Sequence, residues 1–338
     1  MNKKFFAALA SATMAFTASG SIAVFADDFV EEKDPVIDNG DVKQVETEVV
    51  WNKENFGTLV KEGNSVFEDK DSNGLFDVNG DALVEGKKVK TADLEKVENI
   101  TLTGATNGEI KGLEYFTGLK TFNADAATKI TNNSLDFSAN KVLTTLSVTK
   151  AADLTEVVFP EPVIDADDGD KEVYSLATLT LKETALTSLD LSAQDALKTI
   201  TVADSENLKE VTVQHGTKKT HRAYEAVDFS NNNLSTVDFT NTDFTDLNLG
   251  NNHIGALDLS KTKATGTATL QPQTFYVSET LKNVNLAETF ENFDKEAVST
   301  SHKYDEKTGV FTIDGDDAYY HYNTGLDSSN LYLKTTLL

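Results

Sequence analysis

Between residues 227 and 259 an apolar side chain returns at every fifth position: Phe229, Leu234, Phe239, Phe244, Leu249, Ile254 and Leu259. A helix repeats near 3.6 residues and a strand at two, so neither places this set on one face. A chain that keeps such a beat has to wind, each turn completing the core of its neighbour. Alignment on L-x-x-L-x-L extends the winding upstream. LATLTLKETALTSLDL starts at Leu176, LKTITVADSENLKEVTV at Leu197, YEAVDFSNNNLSTVDF at Tyr224 and FTDLNLGNNHIGALDL at Phe244. Weaker copies start at Val97, Leu119 and Leu143. The starts are 22, 24, 33, 21, 27 and 20 residues apart, which gives a unit near 20 to 22 with two insertions.

Within a unit, L-x-x-L-x-L reads as a short strand with its leucines inward. The slot that follows (Thr184, Ser205, Asn232, Asn252) carries a hydroxyl or amide able to satisfy backbone groups left unpaired at a tight corner. A second half, such as LTSLDL from Leu186 to Leu191, carries the chain back. The five-beat also resembles a pentapeptide-repeat square β-helix, which requires a small residue two before each centre. Those positions hold Val227, Asn232, Val237, Thr242, Leu247, Asn252 and Leu257, which are mostly too large and alternate with a period of ten. The expected fold is therefore a leucine-rich-repeat solenoid.

WNKENFGTLVKE, FEDKDSNGLFD, KTADLEKVENITLTG and EIKGLEYFTGLKTFNA, with the words LTSLDLS and LGNNHIGALDLS, resemble secreted or surface leucine-rich-repeat proteins of Gram-positive bacteria, broadly internalin-like. That resemblance implies a binding role without naming a ligand. The expected organisation is a signal peptide (1–26), an acidic lead-in (27–48), an α-containing N-terminal cap (49–96), repeats (97–270) and a β-rich C-terminal cap (271–338), the last including VFTID, AYYHY and LYLKTTL.

The leader MNKKFFAALASATMAFTASGSIAVFA has a positive start and an apolar stretch, so the mature chain is expected to be exported and to start near Asp27. Removing Lys3 and Lys4 changes the formal charge from −25 to −27. A surface of that sign disfavours nucleic acid and anionic membrane, and favours cationic partners or divalent metal. No cysteine is present, so stability must come from a large core or a metal. The chain ends NLYLKTTLL with no sorting motif, so release or non-covalent surface attachment is expected.

A structural calcium site is expected in DKDSNGLFDVNGD, with Asp69, Asp71, Asn73, the Leu75 carbonyl, Asp77 and Asp81 as ligands. Gly80 stands where a bidentate glutamate belongs, which weakens the match. Two insertions, PEPVIDADDGDKEVY after Phe159 and QHGTKKTHRAYE after Val213, follow the same point of a repeat and so share one solenoid edge. The second holds the only basic patch: Lys218, Lys219, His221 and the sole arginine, Arg222, beside Tyr224. This is the expected contact for an extracellular protein or cell-surface polymer. Its lysines could instead pair with Asp165, Asp167 and Asp168 of the first insertion. The outward strand residues, Thr121 to Thr201 and then Asp228, Asp246 and Asn248, form a hydroxyl-rich strip with no aromatic platform. No G-x-S-x-G, H-E-x-x-H or P-loop word occurs, and the expectation is a non-enzymatic, adhesin-like binder that presents its solenoid edge and β-face to a partner; the alternative is a structural cell-envelope component that binds its own wall or self-associates.

Overall fold

A computed structural model describes residues 47–60, 76–78, 81–102, 107–124, 129–315, 318–326 and 330–337. The expected leader and lead-in lie outside these residues, apart from the last two positions of the lead-in. The L-x-x-L-x-L segments form one parallel sheet of eight strands in chain order: Asn99–Leu102, Thr121–Ala124, Thr145–Thr149, Thr178–Lys182, Thr199–Ala203, Arg222–Asp228, Thr242–Asn248 and Ala268–Thr269. Its register places Ile100 beside Phe122, then Leu146, Leu179, Ile200, Val227 and Leu247. Those partners are separated by the same six intervals as the repeat starts. An eighth strand, with Ala268 beside Leu247, continues the stack one turn further than the L-x-x-L-x-L count. The return halves pair more briefly, Ser134–Asp136 with Glu156–Val158 and Ser188–Asp190 with Glu210–Thr212, also in parallel. The architecture is a leucine-rich-repeat solenoid of short strands and irregular connections, with few and short helices.

All seven five-beat residues are buried, none more than 3% exposed. Here the turn is 20 residues, so the beat marks four inward corners per turn. The slot residues bind the turns together. Asn232 donates its amide to the Val202 carbonyl of the previous turn (2.7 Å) and to Phe229 of its own (2.9 Å), and accepts from the Ser205 amide (3.0 Å). Asn252 repeats the arrangement on Phe229, Leu249 and the Leu234 amide. Gln273 repeats it on Leu249, Leu270 and the Ile254 amide. Toward the N-terminus the slot shortens to Ser205 and Thr184, whose hydroxyls bond each other at 2.9 Å.

Just before each slot the chain turns through the left-handed region, at Lys150, Glu183, Asp204, Asn231 and Asn251, with φ between 53° and 58°. Asp and Asn tolerate this conformation, whereas for Lys150 and Glu183 it costs energy that the surrounding ladder must offset. Other corners are set by short Asx turns. Asp136, Asp190, Asp228, Asp238 and Asp258 each accept the backbone amide two residues on. At Asp190 the Ser192 hydroxyl and amide hold the carboxyl below its ordinary range, and Ser260 does the same for Asp258.

Both ends of the stack are covered. At the first turn, Trp51, Phe56 and Leu94 are buried, and Gly57 bridges to Ile110. Gly57 has φ 58°, and a Cβ there would lie 2.1 Å from the Glu109 carbonyl oxygen. At the last turn, a sheet ordered Gln273–Val277, Leu331–Leu337, Tyr319–Tyr322 and Val298–Ser299 closes the core. Tyr320 is fully buried there and donates its hydroxyl to the Gly255 carbonyl.

Replacing Asn252 by Ala strands the Leu234 amide inside the stack and takes from the Phe229 and Leu249 carbonyls one of the two side-chain amides that each accepts, leaving them Asn232 and Gln273. The expected loss in urea unfolding is at least about 2 kcal/mol. Its exposed neighbour, changed as Asn251→Gly, keeps the left-handed turn and should stay within about 0.5 kcal/mol of the unmodified chain.

Candidate functional site

The two insertions emerge from the same side of the solenoid, each directly after a return strand, at Val158 and at Thr212. The first folds as an antiparallel hairpin, with Val163–Asp165 against Lys171–Val173. Asp165 caps its turn by accepting the Asp167 amide at 3.0 Å, and Gly169 follows at φ 70°. Because the hairpin stands off the solenoid, its apolar side chains have no core to enter. Val163 is 44% exposed, Ile164 52% and Val173 42%, with Val158 at the base also exposed. Both outer edges of this two-stranded unit are unpaired among the described residues. Val163 and its cross-strand partner Val173 share one face of the hairpin and Ile164 stands on the other beside Glu172, with Asp165, Asp167, Asp168 and Asp170 at the turn, so each face is apolar within an acidic frame.

The second insertion is a tight turn in which Thr217 and Thr220 exchange backbone hydrogen bonds at 2.7 and 3.2 Å, placing Lys218 and Lys219 at its tip. Both lysines are exposed, and neither forms an ion pair among the described residues. The acidic hairpin does not reach them; Asp168 lies 3.9 Å from Lys171 within its own loop. The other three basic-patch residues are used internally. Tyr224 is 2% exposed and donates its hydroxyl to the Gln214 carbonyl, so it is a packing residue and not the surface anchor that its residue type indicated. Burial pushes its hydroxyl pKa up. Arg222 lies over that ring at 4.8 Å and donates to the Leu197 carbonyl, which ties the strand to the previous turn. His221 places Nδ1 2.9 Å from Asp243. Burial opposes ionisation of Asp243, but His221 and the Lys263 amide outweigh it and hold the carboxyl low.

The hydroxyl strip is half-buried, and its acidic end serves the backbone. Asp246 accepts the Thr267 amide at 2.7 Å and Asn248 the Gly250 amide at 3.1 Å. Of the expected calcium ligands, Asp69, Asp71, Asn73 and Leu75 lie outside the described residues. Asp77 and Asp81 fall on the strands Phe76–Val78 and Asp81–Leu83, which pair antiparallel. Among the described residues no three His, Cys, Asp or Glu side chains gather in a way that would hold a metal. No described helix is long and apolar enough to cross a membrane. The apolar hairpin face was missed from sequence, although VID and KEV flanking a DDGD turn carry the alternation of a hairpin.

No family model matches the chain, and neither does any curated protein. Among solved structures, it is similar to an internalin-like protein of Listeria monocytogenes, at 13% identity over 76% of this chain and 92% of that one, with a TM-score of 0.32. It is also similar to the functional domain of InlJ from Listeria monocytogenes, described as including a cysteine ladder. That match has 13% identity over 76% of this chain and 94% of that one, with a TM-score of 0.21. With scores this low, the architecture rests on the strand register described above.

Changing Arg222 to Lys keeps the charge but loses the planar group over Tyr224 and its reach to Leu197. Chemical unfolding should register a loss of about 1–2 kcal/mol. Lys218→Ser with Lys219→Ser should change stability by less than about 0.5 kcal/mol.

Proposed function

We propose that the chain is an extracellular, non-enzymatic binding module that holds a protein partner along the insertion edge of its solenoid. The observation that carries this reading is the β-hairpin at 163–173. Three large aliphatic side chains stand in solvent on a small, rigid unit with open edges, at a cost in solvation that packing within this chain does not offset. A partner that covers Val163, Ile164 and Val173 gains the burial that the solenoid itself leaves unused. The unpaired strand edges offer main-chain hydrogen bonds to an extended segment of that partner. The acidic frame favours a partner with a cationic rim, while Lys218 and Lys219, on the same side of the solenoid, accept an acidic group. The likeness to internalin-like proteins is consistent with a surface role but does not choose the partner. The acidic loop beginning at Asp69 is proposed as a structural calcium site that steadies the N-terminal cap and takes no part in contact.

The decisive comparison is capture from an extracellular protein extract by the chain from residue 27 onward and by two variants. The double change Ile164→Asp and Val173→Asp should abolish capture while leaving the melting temperature in place. Lys218→Ser with Lys219→Ser should weaken capture, with a smaller salt dependence. Equal capture by all three chains would remove the insertion edge from the function. For calcium, a millimolar concentration should raise the melting temperature of the unmodified chain and not that of Asp69→Ala with Asp71→Ala. An unchanged melting temperature in both would discard the site.

A further inference from the structure

The sheet that closes the last turn has one face in the core and one toward solvent. Tyr320, Tyr322, Leu331 and Leu333 point inward. By strand alternation the outer face presents Tyr319 and His321 from one strand and Tyr332 from the next. These rings form a connected set in which Tyr332 is tilted by 45° to both Tyr319 and His321, and those two stand nearly perpendicular at 84°. His321 and Tyr332 are cross-strand partners 5.1 Å apart, Tyr319 lies 5.5 Å from Tyr332 and 5.7 Å from His321, and His302 abuts Tyr319 edge-on at 5.0 Å. His302 is fixed by Asp314 at 2.6 Å and the Tyr319 hydroxyl by Ser301 at 3.1 Å. The His321 ring nitrogens and the Tyr332 hydroxyl have no partner among the described residues.

The platform runs into a depression of about 440 Å³ at the strand ends, lined by Ser299, His321, Asn323 and Asn330 with Ala297, Gly325 and Leu326. Its size lies within the range of small-ligand sites. Its chemistry differs from the rest of the molecule. In a chain of net charge −25, the described lining holds amides, a hydroxyl and an imidazole but no carboxylate.

Flat rings beside amides and hydroxyls suit a ligand with C–H faces and many hydroxyl groups. Aromatic faces carry negative partial charge and attract polarised C–H groups, while the amides and the imidazole pair with hydroxyls. We infer that this face seats a glycan, with one sugar ring against the Tyr332 ring within this cluster and the next in the Asn323–Asn330 depression. An aliphatic peptide anchor would leave those amides unpaired. The leader expected from the sequence would bring the chain to the envelope, and the occupant assigned here is therefore the glycan strand of that envelope.

The test uses the chain from residue 27 onward with purified peptidoglycan sacculi as probe, and with hyaluronan as a host-type glycan. Sacculi should retain the unmodified chain. Retention should fall about tenfold or more in His321→Ala and in Tyr332→Ala, and persist in Tyr332→Phe, which keeps the ring. Ile164→Asp with Val173→Asp should leave it unchanged. A soluble chitooligosaccharide should shift the imidazole resonances of His321 in the unmodified chain, a readout independent of how the variants fold. Absence of retention, equal retention by all variants, resonance shifts confined to other histidines, or retention by hyaluronan alone would each overturn the inference.

Discussion

The structure depends on the satisfaction of backbone groups at one buried corner. Every turn of a solenoid must reverse direction where no ladder can pair its carbonyls, and a buried unpaired carbonyl costs about as much as a hydrogen bond contributes. Asn232, Asn252 and Gln273 each meet this cost twice, once within a turn and once across to the preceding one. The apolar core is non-directional and would tolerate some sliding of one turn over another. The amides do not, since each has its donors and acceptor matched to particular atoms on its own turn and on the adjacent one. The leucines supply the burial and the corner amides fix the register.

The same economy of backbone groups accounts for part of the acidity. Many of the aspartates are bound to an amide or hydroxyl two residues along, so they shape turns besides setting charge. At Asp190 and Asp258 the lowered carboxyl pKa means that this support is present at neutral pH and is lost on acidification through the folded-state pKa, below the usual carboxylate range. The carboxylates of the 163–173 hairpin are mostly exposed, and the described depression beside His321 has none. The chain therefore has surfaces of distinct character within one overall sign.

Much of the fold was legible in the sequence because a solenoid is governed by local repetition. The six spacings between repeat starts reappear as strand register, and Thr184, Ser205, Asn232 and Asn252 occupy the inward slot. The left-handed residues before the slots were not legible, since Lys150 and Glu183 carry no preference for that conformation. Gln273 was read as the beginning of the cap, because a longer amide after Pro272 does not look like a repeat word. The site was less legible than the fold. Arg222 and Tyr224 have residue types common at interfaces, yet Tyr224 stands at the first leucine position of its own repeat, and position prevailed over type. Conversely, the insertion PEPVIDADDGDKEVY is expected on the solenoid edge for its acidic residues, and the exposure of Val163, Ile164 and Val173 follows only from the hairpin that it forms off the stack.

The strands on either side of each insertion keep their register. Leu146 faces Leu179 across 33 residues and Ile200 faces Val227 across 27, although neighbouring turns close in 20 to 24. Extra chain at that point extends sideways, and the turns above and below do not record its length. A lineage could therefore lengthen, shorten or exchange those loops without renegotiating its core. The same seam would let an engineer graft foreign peptides onto the solenoid as a display scaffold.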